Sequence, residues 1–153
     1  MRDTIEAARK ALGISPADCC LVSPHRHLDI TEQIARQFTT LPQHPLKRRW
    51  WWESFKEPNR SVQLPEPLST VADLLGPNES YWFVAEAWEA GKKESSFWLY
   101  EMSGRAIPLI LRETHFFEYY IVDRKMTWLL CENHHGVLIG VGEPILRRLP
   151  TNE

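Results

Sequence analysis

Cysteine is scarce in this chain of 153 residues, which holds only Cys19, Cys20 and Cys131. An odd count whose first two members are adjacent, and so poorly placed to bond each other, argues against a disulfide framework and fits a reducing cytoplasm. Long apolar runs are missing as well. No stretch reaches the roughly 18 residues that a membrane span requires, and the opening MRDTIEAARKALG carries charges throughout with no apolar h-region, so a soluble, unexported protein without membrane partners is expected. Charge of one sign is lacking too. With 18 basic against 20 acidic side chains the net charge is -2, which gives no global field to gather nucleic acid or an anionic membrane. GxSxG, the P-loop, GxGxxG, HExxH and the kinase set do not occur, so no common enzyme signature and no cofactor is implied.

Aromatic residues are plentiful: seven Trp, six Phe and four Tyr stand in a chain of ordinary hydrophobic content, 43%, which is the make-up of a folded globular protein. The length suits one core, and residues 1–153 are read as a single domain. Ile5, Ala8 and Leu12 fall at helical spacing and Gly13 is a natural stop, predicting a first helix over Thr4–Leu12. Asp29 before ITEQIARQF, with Glu32 three residues on, predicts a capped second helix whose Ile30, Ile34 and Phe38 share a face. Between Leu41 and Pro67 five prolines keep regular structure short. Ser69 can cap a small helix through Val71, Leu74 and Leu75.

The character of the chain then changes. SYWFVAEAW and SSFWLYEM, joined by the turn-like EAGKKE, read as a β-hairpin, and FFEYYIVD, TWLLCE and GVLIGVG as three further strands in a meander. Alternation places Trp82 and Val84 opposite Tyr81, Phe83 and Ala85, and Trp98 and Tyr100 opposite Phe97 and Leu99, so both faces are apolar and both need cover. The N-terminal helices are expected to cover one face, with RAIPLILRET as a crossing helix or an added strand. The predicted fold is α+β, with N-terminal helices packed on a C-terminal antiparallel sheet of about five strands.

CENHHGVLIGVG looks most like chemistry, since Cys131, Glu132, Asn133, His134 and His135 are consecutive. In a strand Cys131 and Glu132 point apart, and Asn133 to Gly136 have the composition of a hairpin connection, so a structural turn is the simpler account. The alternative is a small metal-dependent or Cys/His hydrolase using His134, His135, Cys131 and Glu132. His25 and His27, two apart, would share a face in an extended segment and form an alternative metal pair. KRRWWW, Lys47 to Trp52, joins cations to stacking platforms and offers a third reading, single-stranded nucleic-acid binding, which the near-neutral charge disfavours. The carboxylates Glu86, Glu89, Glu101, Glu113, Glu118 and Glu132 raise a paired-carboxylate possibility. Acidic strand ends also keep sheet edges soluble, and that account is preferred.

The segment from Tyr81 to Gly142, an aromatic hairpin followed by EYYIVD, WLLCENHH and a Gly-ended strand, resembles the sheet portion of small uncharacterised bacterial proteins and is weakly similar in layout to SUKH-type immunity proteins. The resemblance implies a non-enzymatic role, in which such a protein binds a partner, often a toxin, and blocks it. The leading expectation is therefore a protein-binding module acting by steric occlusion. Its interface is expected in Arg48, Arg49, Trp50, Trp51 and Trp52 and in the Asn133, His134 and His135 turn, because Trp and Arg concentrate interface energy.

Overall fold

The computed structural model describes residues 1–41, 50–87 and 96–151. Its centre is a seven-stranded sheet in the order β1-β4-β3-β5-β6-β7-β2, in which every neighbouring pair is antiparallel. The strands are β1 (Cys19–Leu21), β2 (Asn59–Gln63), β3 (Ser80–Ala87), β4 (Ser96–Ser103), β5 (Glu118–Asp123), β6 (Leu129–Glu132) and β7 (Val137–Val141). The expected hairpin is β3 with β4, and the expected meander is β5, β6 and β7.

The strand count is seven, not about five. The two additional strands are the sheet's edges, taken from stretches that read as loop. Strand β1 has three residues and pairs with β4, while β2 lies between Pro58 and Pro65 and pairs with β7. Short edge strands beside prolines carry little alternation of their own, and their place is fixed by a distant partner.

Both faces of the sheet are apolar and both are covered. Tyr81, Phe83, Tyr100, Tyr119, Ile121 and Leu130 point to one side. There they meet α1 (Arg2–Ala11) through Ile5 and Ala8, α3 (Pro67–Leu74) through Val71 and Leu74, and α4 (Ala106–Glu113) through Ile107 and Ile110. The short α5 (Glu143–Leu146) adds Ile145. Trp82, Val84, Leu99, Tyr120, Leu129 and Cys131 point to the other side, against α2 (Pro24–Phe38) through Ile30, Ile34, Ala35 and Phe38. The two N-terminal helices thus lie on opposite faces, not together on one. RAIPLILRET forms a helix, because Ile107 and Ile110 recur at helical spacing toward the core.

Helix α2 begins five residues before the capping box expected at Asp29. Ser23 occupies the N-cap position and Pro24 the first helical one, where a missing N–H costs nothing and φ is already helical. Asp29 then stands exposed within the helix, and Glu32 pairs with Arg36 one turn on at 2.6 Å. His25 and His27 accordingly lie in helical turns, where residues two apart sit on roughly opposite sides of the axis. The extended geometry that would have made them a metal pair is absent.

Trp51 opens a 3₁₀ turn (Trp51–Ser54) that lies on the α2 side of the sheet. Its indole is fully buried, stacked on Phe97 at 4.5 Å and tilted against Tyr120 at 5.0 Å. Emptying so large a buried site costs about 3–5 kcal/mol, so Trp51→Ala is expected to lower the urea midpoint sharply. Trp50→Ala next to it, at a site 36% exposed, should change stability by about 1 kcal/mol or less. Equal midpoints for the two variants in urea melts would contradict this assignment of the core.

Candidate functional site

The turn after β6 explains most of CENHH. The Asn133 side chain accepts hydrogen bonds from the N–H groups of His135 at 3.0 Å and Val137 at 3.1 Å. Its own N–H reaches the Val137 carbonyl, and Gly136 takes the left-handed conformation, φ +68°, which a glycine adopts without steric cost. Asn133 is buried by these bonds and Trp51 by the core, so neither presents a contact surface. Arg48 and Arg49 lie outside the described residues.

The four residues of the hydrolase alternative do not converge. Cys131 is buried among apolar side chains on the α2 side. Burial first, and then the charges of Glu118, Glu86 and Glu132, push its thiol well above the ordinary range, so it is no ready nucleophile. Glu132 points to the opposite face, where its Oε2 accepts the Tyr119 hydroxyl at 2.5 Å. Burial raises the Glu132 carboxyl, and the Tyr119 bond offsets only part of that shift. Among the described residues no three His, Cys, Asp or Glu side chains are arranged to hold a metal ion.

His134 is exposed to water yet clamped on one side. Both its N–H at 3.1 Å and its ring Nδ1 at 2.7 Å meet Glu118 Oε1, and since a carboxylate only accepts, Nδ1 carries the proton. The same oxygen accepts the Trp52 indole Nε1–H at 2.9 Å. Around this point the rings gather: His134 lies 5.5 Å from Trp50, 5.8 Å from Trp52 and 4.0 Å from His135. The WWW run and the NHH turn, far apart in sequence, therefore meet at one end of the sheet.

What joins them is a set of carboxylates that the sequence reading placed in solvent. Glu86, Glu118 and Glu132 are 4%, 7% and 7% exposed, so the solvated-edge account fails for them. It holds for Glu101, which pairs with Arg124 at 2.8 Å, and for exposed Glu113; Glu89 lies outside the described residues. Glu86 and Glu118 are direct partners in the β3–β5 register and so share a face. Glu86 accepts the Tyr120 hydroxyl at 2.8 Å and the Trp50 N–H at 3.1 Å. The second bond holds Trp50 in the left-handed region, φ 55°, an unusual conformation for a bulky residue and costly by about 1–2 kcal/mol.

Beside this network opens a pocket of about 550 Å³ lined by Trp50, Glu86, Phe116, Phe117, Glu118 and His134 among others. Phe116, which sequence reasoning passed over, is 56% exposed. The signal for it was present in FFEYY: two Phe before a strand cannot both enter one face. A second pocket, of about 480 Å³, is lined by Arg2, Glu6, Arg9, Cys19 and Cys20 among others, and its Arg9 and Glu6 already pair at 3.2 Å.

The chain belongs to a family of unknown function, DUF6756, whose model matches residues 1–153. No curated protein and no solved structure matches it.

The Glu132 shift sets a pH dependence. With its folded value raised, Glu132 keeps its proton in the folded chain where the unfolded chain has lost it. Its contribution is present below the ordinary value of 4.5 and is lost as the pH rises through the folded value. Glu132→Gln retains an acceptor for Tyr119 without the titration, so wild type should lose stability relative to this variant as the pH climbs above that point. Parallel stability–pH profiles from urea melts would contradict the buried carboxyl.

Proposed function

We propose that this chain is a protein-binding module that acts by steric occlusion of a partner, as the resemblance to SUKH-type immunity proteins implies. Its docking surface is the sheet end around Trp50, Phe116, His134 and the neighbouring Trp52 and His135. One observation carries the reading: an open pocket is walled by partly exposed aromatic rings, while the groups that chemistry would need are already committed to the fold. Cys131 is buried, Glu132 faces the other side with Tyr119, and the His134 ring is fixed by Glu118. Large amphipathic rings on a preformed concave surface are the usual anchors of interfaces.

The strained backbone at Trp50 supports the same site. Left-handed backbone at a bulky residue persists where surrounding bonds enforce it, and such positions cluster at functional sites. Here the enforcement is the Glu86 carboxylate on the Trp50 N–H, and the result is an indole held at the pocket wall.

The test is capture of the partner from an extract of the protein's source by tagged wild type and by the Trp50→Ala/Phe116→Ala double variant, after a melt shows that the variant is folded. Wild type should retain a stoichiometric partner and the double variant should bind it at least about tenfold more weakly, the loss expected for interface anchors. Equal affinity in the two chains would place the docking surface elsewhere.

A further inference from the structure

We propose that the sheet edge at β1 pairs with β1 of a second copy of this chain, in a twofold dimer whose sheet runs on from one copy into the other. This goes beyond the docking surface around Trp50 and does not rest on it. Strand β1 ends the strand order and pairs with β4 alone. The Ser103 N–H donates to the Asp18 carbonyl at 2.9 Å, and the Val22 N–H to the Leu99 carbonyl at 2.9 Å. Alternation along an antiparallel pair then turns the backbone groups of Cys20 toward β4 and those of Cys19 and Leu21 outward. Two of the four outward groups are engaged: the Cys19 N–H donates to the Ser15 carbonyl at 3.1 Å, and the Leu21 carbonyl accepts the Cys20 thiol at 3.5 Å. Among the described residues nothing meets the other two, the Cys19 carbonyl and the Leu21 N–H.

A second β1, antiparallel and related by a twofold axis through Cys20, uses those two groups and no others. Cys20 then faces Cys20 of the second copy as a non-hydrogen-bonded pair, and each Leu21 N–H donates to the other copy's Cys19 carbonyl. The edge is thus complementary to itself, as a twofold contact requires. Charge selects the same occupant. The cavity of about 480 Å³ beside the edge is lined by all three β1 residues and by Asp3, Glu6, Arg9 and Lys10 among others, so α1 runs along the strand with this polar face over the edge. Asp3 and Lys10 are exposed, and their spacing puts them two turns apart on one side of the helix. A twofold axis reverses the helix direction and brings Asp3 of each copy to Lys10 of the other. Glu6, between them, is already paired with Arg9 at 3.2 Å. A foreign strand would need both matches in its own sequence, whereas a second copy carries them. The opposite edge, β2, lies between Pro58 and Pro65, while β1 holds neither proline nor charge, two devices that keep edges apart. Its three residues make the contact small, and the dimer is accordingly a weak one.

Sedimentation velocity of the full chain under reducing conditions tests this. Wild type should pass from monomer to dimer with a Kd on the order of 0.1 mM. Asp3→Lys, at a side chain fully open to solvent, sets like charges together at both ends of the contact and should weaken the dimer at least about tenfold. Asp3→Lys/Lys10→Asp should restore it to within about threefold of wild type. A wild type that stays monomeric up to about 1 mM would overturn the second copy as the occupant of the edge. Association that Asp3→Lys leaves unchanged, or that the double exchange fails to restore, would overturn the arrangement. Cross-linking reads the register itself, because Cα atoms in a non-hydrogen-bonded pair stand about 4.5 Å apart, within the span of a disulfide. With diamide as oxidant, two Cys20 thiols give up two protons and two electrons to its N=N bond, so that one S–S bond and one hydrazine form. Well below the Kd, wild type should yield this covalent dimer about tenfold faster than Asp3→Lys, in proportion to the dimer present, and Cys20→Ser should yield none. Equal rates in wild type and Asp3→Lys would mean chance collision of an exposed thiol and would overturn the register.

Discussion

A carboxylate that is almost withdrawn from water, Glu118 at the first position of β5, is the constraint on which the rest of the site depends. Antiparallel pairing with β3 places Glu86 beside it on the same face. Two acids so placed are tolerable only where donors surround them, and this chain supplies the donors from two remote segments and from β5. The Trp50–Trp52 stretch contributes a backbone N–H and an indole N–H, β5 itself contributes the Tyr120 hydroxyl, and the β6–β7 turn contributes His134. The acids therefore act as an assembly point, drawing a proline-rich connection and a hairpin turn onto one end of the sheet.

That assembly is possible because the sheet is covered on both faces. Trp51 fills the α2 side beside Phe97 and Tyr120, and in doing so it fixes its two neighbours. With its middle ring anchored in the core, the WWW run has no freedom to slide: Trp50 is set at the pocket wall and Trp52 at the carboxylate. Packing thus positions the site, and the hydrogen bonds to Glu86 and Glu118 orient it. Three identical residues do three different things because burial decides among them.

The strands of the second half were legible in the sequence because both apolar faces alternate over long stretches; Tyr81, Phe83 and Ala85 against Trp82 and Val84 is the arrangement observed. The edge strands were not, since β1 has three residues and β2 buries only Val62. Helix α2 was misplaced at its start because a Ser-Pro beginning competed with an acidic capping pattern, and proline won. Of the site, the NHH turn and the Trp residues were visible as composition. The carboxylates were visible only as acids at strand ends. Whether a Glu at the end of β3 faces water or another Glu depends on which strand lies beside it, and that register is set by contacts some 30 residues away, as in Glu86 with Glu118.

The central claim is that Glu118 organises this end of the molecule through the bonds on its carboxylate. Solvent exchange of the Trp52 indole N–H, followed by NMR in wild type and in Glu118→Ala, tests it most directly. With the acceptor gone and the fold intact, the indole should exchange at least about tenfold faster and the His134 ring signals should move with it. Unchanged exchange and an unmoved His134 would mean that packing alone holds the segment, and the carboxylate would lose the role assigned to it.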